Sequence, residues 1–296
     1  MAFKAYLQSR VYQPINITLK PQKVQMKLTN LIASISLVIG SVVVASNSAQ
    51  AASFTSNVNQ KTDAKADILL QSITQNGTTF KDFTYVSEVK ALINTARTAT
   101  NANSGAASTD RGDNATSPVS ASEDPNRDDI AKFLGNNNLN NIVDTEDSGT
   151  FKIDLIFKNA IFGNSQGTDS LFFWERGMNS DLSIQGFDQT GTLIGNSLKL
   201  LRKQQSDAGF KIDTTEIASA QKVGNWGVSL QQLGVTSLSG IRVISEGKAF
   251  NGPDFKLIAR TGESKSVPEP GMVLSIGALA GVAFLRRRQS NQSSAI

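Results

Sequence analysis

Between residues 150 and 260 apolar and polar side chains alternate with a period of two, and that pattern limits the chain more than any other. Phe151, Ile153, Leu155 and Phe157 alternate with Lys152, Asp154 and Lys158. Leu182, Ile184 and Gly186 alternate with Ser183 and Gln185, and Phe210 and Ile212 flank Lys211. Trp226, Val228 and Leu230 alternate with Gly227 and Ser229; Ile241 and Val243 flank Arg242; Phe255, Leu257 and Ala259 alternate with Lys256 and Ile258. A strand sends successive side chains to opposite faces, so each run reads as a strand with one face buried. Gly-, Asn- and Asp-containing turns separate the runs, as at Gly163-Asn164, Asp188–Gly191 and Asn251–Asp254. Short strands at this spacing predict a mainly β chain, an antiparallel β-sandwich of jelly-roll-like type, with its core in 150–266. Eleven of the twenty aromatic residues lie in 151–260, where such a core would need them.

The region before it, 52–149, reads as helical and of low complexity. Asp82–Arg97 places Phe83, Val86, Val89, Leu92 and Ile93 at helical spacing between an aspartate and an arginine, which predicts an amphipathic helix. Asp63–Ser72 is a second candidate helix, and Asp128–Leu139 a short third one. Residues 98–129 hold one large aliphatic, Val119, and no aromatic. Such a stretch buries too little surface to offset its ordering entropy and is expected to be a surface loop or disordered insertion. It contains Arg111-Gly112-Asp113, an adhesion tripeptide or a chance string of common residues.

Chemistry is bounded by what the chain lacks. Its 296 residues include no cysteine and no histidine. That excludes a Ser-His-Asp triad, a Cys-His nucleophile, a Cys/His zinc site and disulfides. Any metal must be held by oxygen, which favours calcium or magnesium; structural calcium would fit, and no other cofactor is expected. Asp144-x-Glu146-Asp147-x-Gly149 has the look of a calcium loop, but its twelfth position is Leu155 where an EF-hand needs Glu. Asp110–Asp113 and Asp124–Asp129 are further acidic turns. Neither a Walker motif nor a G-x-G-x-x-G occurs. Glu175, beside Trp174, is the one carboxylate with an aromatic setting that could serve a paired-carboxylate glycoside hydrolase. A strand-edge Glu paired with Arg176 or left in water is the plainer account. Trp174 and Trp226 could stack on sugar rings if exposed, although Trp226 continues an alternating apolar set. Asn76-Gly77-Thr78 and Asn114-Ala115-Thr116 are sequons suited to surface loops.

Two segments read as addresses. Residues 1–51 form an export signal. Lys27 is its basic start, Leu31–Ala45 its apolar stretch, and Ala49-Gln50-Ala51 an A-x-A cleavage site for signal peptidase, with Ala52 the first mature residue. Met26 is an alternative start. At the other end, Val267-Pro268-Glu269-Pro270 precedes an apolar run, Gly271–Leu285, and then Arg286-Arg287-Arg288. The run has 15 residues. As a transmembrane helix it would be about 22 Å long, short of a bilayer core of roughly 30 Å, which snorkelling arginines and local thinning accommodate. The arginines would stay on the cytoplasmic side and the body outside. A plain tail anchor would keep that topology too.

Residues 267–296 resemble the PEP-CTERM sorting signal of Gram-negative bacteria and cyanobacteria, with all three parts in order. The resemblance implies processing near Pro-Glu-Pro by an exosortase and a link to exopolysaccharide or the cell envelope. Gly252-Pro253-Asp254-Phe255-Lys256-Leu257 is similar to the closing hairpin strand of cyanobacterial exosortase-dependent surface proteins. It implies an extracellular surface protein of unassigned molecular activity. With two terminal addresses and no catalytic constellation in the sequence, the expectation is a non-enzymatic protein, anchored in the membrane as a precursor and then released to the cell surface or beyond. A carbohydrate- or calcium-binding lectin-like module, or a secreted hydrolase, would fit the same address.

The net charge of +4 does not point to nucleic acid. Five bases in residues 1–51 and the three terminal arginines face no acid, which leaves 21 bases against all 25 acids in 52–285, a net of −4. A nucleic-acid face needs its bases on the folded body.

Overall fold

The computed structural model describes residues 54–95, 107–118, 120–164, 168–216 and 219–262. The expected export signal (1–51, with Ala49 and Ala51), Ala52, the expected sorting motif Val267–Pro270, the apolar run 271–285 and Arg286–Arg288 lie outside them. Among the described residues no helix is long and apolar enough to cross a membrane.

The described chain is mainly β. In order it forms β1 (Thr55–Val58), β2 (Leu70–Gln75), β3 (Thr78–Phe80), β4 (Phe83–Thr84), β5 (Val86–Asn94) and β6 (Ala107–Arg111), then helix α1 (Arg127–Leu134). After the helix come β7 (Asn141–Thr145), β8 (Thr150–Phe162), β9 (Leu171–Arg176), β10 (Leu182–Phe187) and β11 (Leu193–Leu200). The last four are β12 (Ser206–Ile212), β13 (Gln221–Val228), β14 (Ser237–Glu246) and β15 (Phe255–Arg260). Five of the six alternating runs lie wholly in strands, the Trp226–Leu230 run extending two residues past the end of β13, and every strand pairing described is antiparallel.

A five-stranded sheet, β11-β10-β14-β8-β5, faces a seven-stranded one, β12-β13-β9-β15-β7-β6, with β4 added on β15. Ile153 and Leu155, Ile184, Ile241 and Val243 of the first share one core with Phe173, Trp226, Val228 and Leu257 of the second. This is a sandwich-like packing in which inward residues of both sheets interdigitate. Its closing strand β15 lies between β9 and β7, in the middle of its sheet.

The other face of the seven-stranded sheet is covered as well. There β1-β2-β3 form a small sheet whose Phe54, Leu70, Ile73 and Phe80 pack with Phe172, Trp174, Phe210 and Ile258. A strand covered on both sides has no polar alternation, which is why Leu171-Phe172-Phe173-Trp174 runs unbroken.

The helical N-terminal portion is corrected. Asp82–Arg97 is not a helix: Phe83–Thr84 and Val86–Asn94 are strands. The register of β5 on β8 slips between Val86 and Glu88, and again between Val89 and Ala91. Each slip is a bulge that adds a residue, so side chains three apart return to one face. Val86 and Val89 are buried, and Leu92 packs on the same core. Two bulges thus reproduce the i, i+3 part of a helical pattern, while Ile93 is 63% exposed. Asp63–Ser72 is likewise not a helix; it leads through turns into β2.

The insertion 98–129 is not wholly a loop. Ala107–Arg111 pairs with Asn141–Thr145 along its whole length. Its residues are small and polar, so no apolar period announces the strand. The expected helix near 128–139 is present as α1. Asn126 Oδ1 accepts from the Asp128 and Asp129 amides (2.8 and 3.1 Å), and Asp129 Oδ2 accepts from the Asn126 amide (3.2 Å). That reciprocal cap accounts for Asn126 and Asp129 within the acidic turn.

Candidate functional site

The most charged place in the described interior is built around the last two residues of β9. Along that strand Leu171 and Phe173 enter the core between the large sheets, and Phe172 and Trp174 enter the second core. Alternation therefore sends Glu175 and Arg176 to opposite faces, so the two are not partners.

Arg176 is 1% exposed. Its Nη2 donates to Asp144 Oδ2 and to Asp254 Oδ2, both at 2.9 Å, and Nε donates to Asp254 Oδ2 at 3.2 Å. Nη1 lies 3.7 Å from Asp110 Oδ2 and donates to Thr214 Oγ1. Four strand regions thus meet on one guanidinium: β6 through Asp110, β7 through Asp144, the start of β15 through Asp254, and the segment after β12 through Thr214. Burial works against the charge of Arg176, and Asp254, Asp144 and Asp110 more than offset it, so its pKa is raised.

Three carboxyls on one cation leave a surplus of negative charge. Burial, then Asp254, raise the Asp144 carboxyl well above the usual range against the pull of Arg176. Burial raises Asp254 as well. The Asp144 and Asp254 carboxyls repel each other, and a proton shared between them would remove one buried charge. Glu216 adds a further acid at the rim. It is exposed as a residue, with its carboxyl close to those of Asp110 and Asp144; partial burial, then Asp144, Glu123 and Glu146, push it up to about 8. Carboxylate oxygens of Asp110, Asp144 and Glu216 lie within 4.8 Å of one another. That is part of a donor set for a hard cation, which takes six to eight oxygens in the case of calcium.

The expected Asp144–Gly149 loop does not form as a unit. Asp144 is in a strand and turned to Arg176, and Asp147 sits exposed in the β7–β8 turn. Arg111-Gly112-Asp113 does not project: Arg111 Nη1 donates to the carbonyls of Ala115 and Pro118, and Asp113 pairs with Lys65 at 2.6 Å.

Glu175 is 0% exposed. Oε2 accepts from Gln205 Nε2 at 2.9 Å. Burial, partly offset by bonds from Gln205 and Ser180, pushes its carboxyl up to about 8. A carboxyl sealed in this way does not meet a glycan chain, so the proposed hydrolase role has no support at Glu175. Trp174 and Trp226 are each 1% exposed, which removes them as sugar platforms. Trp174 Nε1 donates to Ser56 Oγ (2.9 Å) and Trp226 Nε1 to the Leu201 carbonyl (3.0 Å).

Sequence reasoning missed Arg176 as a hub and Lys256 as a buried base. The signal available was a charged pair closing an unbroken apolar run, and a lysine in a strand flanked by Phe and Leu. Compared with known proteins, the chain matches no family model, no curated protein and no solved structure.

Proposed function

We propose that the chain is an exported, non-enzymatic surface or extracellular-matrix protein, sorted by an exosortase and associated with exopolysaccharide or the envelope. The ordered tail carries this reading: Val267–Pro270, then Gly271–Leu285, then Arg286–Arg288. The location of the described fold supports it. The outermost paired strands begin at Thr55 and end at Arg260, so cleavage after Ala51 and cleavage at Pro268–Pro270 both spare every described strand. The passage of the chain from sheet to sheet between β7 and β15 favours a jelly-roll-like sandwich.

The test is the intact mass of the protein from each fraction of its own host. The reading expects a species starting at Ala52 and ending at Pro268–Pro270, and a Pro268–Pro270 to Ala variant that stays uncut in the membrane fraction. An uncut wild-type tail reduces residues 267–288 to an anchor and overturns sorting.

A second reading, a calcium-binding module at the same address, draws on the Asp110, Asp144 and Glu216 oxygens. Calorimetric titration of the purified protein with calcium decides it: heat that is lost in Glu216→Gln supports the reading, and no heat ends it.

A further inference from the structure

Lys256 is a fully buried lysine with no acid beside it among the described residues. It sits on β15, between Phe255 and Leu257, which face the main core; Lys256 therefore points to the other side of the sheet. No described carboxylate lies within ion-pair distance of it. Nζ donates instead to the Phe133 carbonyl, at the end of α1, and to Asn136 Oδ1 at 3.1 Å. A lone ammonium is costly to seal away from water. Burial accordingly drives the Lys256 pKa well down. A neutral amine carries a lone pair and is the nucleophilic form.

Asn136 supplies a matching electrophile. Its Oδ1 also accepts from the Asn138 amide at 2.9 Å and from Asn141 Nδ2 at 3.2 Å. Two fixed donors on a carbonyl oxygen polarise it and would hold the oxyanion formed on addition. Asn136 Nδ2 donates to the carbonyls of Lys132 (2.8 Å) and Phe133 (3.3 Å). The Phe133 carbonyl thus accepts from both nitrogens, the one that would arrive at Cγ and the one that would leave. A rotation about Cε–Nζ exchanges the hydrogen offered to Oδ1 for the lone pair.

We propose that Lys256 and Asn136 form an intramolecular isopeptide bond. The Nζ–Cγ bond forms and the Cγ–Nδ2 bond breaks, its electron pair leaving with nitrogen. One hydrogen of Nζ passes to Nδ2, and ammonia departs. No oxidant, reductant or second substrate enters the balance. The bond ties the exit of α1 to the centre of the seven-stranded sheet, across 120 residues of chain. In a chain without cysteine it does the work of a disulfide, restricting the unfolded state.

The experiment is a digest of the denatured full chain, read by mass spectrometry after the folded protein has been held at neutral pH. The result expected is a branched peptide joining residues 136 and 256, lighter by one ammonia than its linear parts. Ammonia lost as a succinimide at Asn76-Gly77 or Asn251-Gly252 gives no branched peptide and is told apart by that. Asn136→Ala and Lys256→Met each yield linear peptides only; methionine keeps the apolar stem, so the second variant remains testable if the first folds poorly. Linear Asn136 and Lys256 peptides alone from the wild-type chain overturn the proposal, and Lys256 is then a hydrogen-bonding cap on α1.

Discussion

Asp254 Oδ2 accepts from both Nε and Nη2 of Arg176, at 3.2 and 2.9 Å, while Asp254 Oδ1 accepts from the Thr145 amide at 3.0 Å. One carboxylate therefore joins β9, β7 and the entry to β15 in the interior of a sheet. Removing the cation would strand the acids around it. Arg176→Met is expected to cost about 3–5 kcal/mol, the usual penalty for breaking a buried ion pair from one side. Urea unfolding measures it. The deficit should shrink as pH falls, because Asp144 and Asp254 already have raised pKa values and protonation removes the charges left unpaired. A deficit independent of pH would mean that lost packing, not stranded charge, destabilises the variant.

Glu175 predicts a pH dependence of its own. Its carboxyl is raised from 4.5 to about 8. A raised acid binds its proton more tightly in the folded state, so its contribution is fully present below 4.5 and is lost as pH rises through about 8. Glu175→Gln keeps the shape and cannot ionise. The variant should gain on the wild type steadily between those two values, read as the difference in urea midpoints at a series of pH values. Asp169, raised to about 6 by burial, acts in the same sense but is common to both proteins and cancels. A constant difference would show that Glu175 does not titrate in this window.

Both tryptophans are sealed, and their emission should say so. The folded protein is expected to emit at short wavelength and to resist quenching by acrylamide. Added oligosaccharide should leave that emission unchanged. Ready quenching of either tryptophan would place it at the surface. Trp174→Ala, which also deprives Ser56 of its donor, should cost about 3–5 kcal/mol by chemical denaturation.

The bulged strand separates two readings of one pattern. An amphipathic helix puts Val89 and Ile93 on the same face, whereas β5 buries Val89 and leaves Ile93 exposed. Val89→Ser should cost about 1–3 kcal/mol and Ile93→Ser stay within about 0.5 kcal/mol. Equal losses at the two positions would restore the helix.

What these residues show is where local pattern stops. Phe151–Phe157 and Leu182–Gly186 were legible because one side of each strand meets the main core, and alternation records that directly, whereas Phe255–Ala259 alternates only because a buried lysine, Lys256, stands on its second covered face. The short helix expected over 128–139 was legible, but its cap was not: Asp124–Asp129 was read as an acidic turn, and Asn126 and Asp129 prove to form the reciprocal cap of α1. The Arg176 centre was not legible. Asp110, Asp144, Thr214 and Asp254 are far apart in the chain, and only the ordering of β6, β7, β9 and β15 in one sheet brings them to a single guanidinium. β5 was misread because two bulges, which depend on its pairing with β8, turn a period of two into steps of three.

By itself the sequence determined the strand-forming body, a short helix after residue 127, the lack of cysteine and histidine chemistry, and the two terminal patterns read as addresses. Each of these is written in neighbouring residues. The tertiary structure alone decided that Glu175, Arg176 and Lys256 are buried, which acids share a cation, and that a lysine amine lies against an asparagine amide. Burial is a property of what packs over a residue, and here the covering elements, β1–β3, α1 and the facing sheet, come from distant parts of the chain.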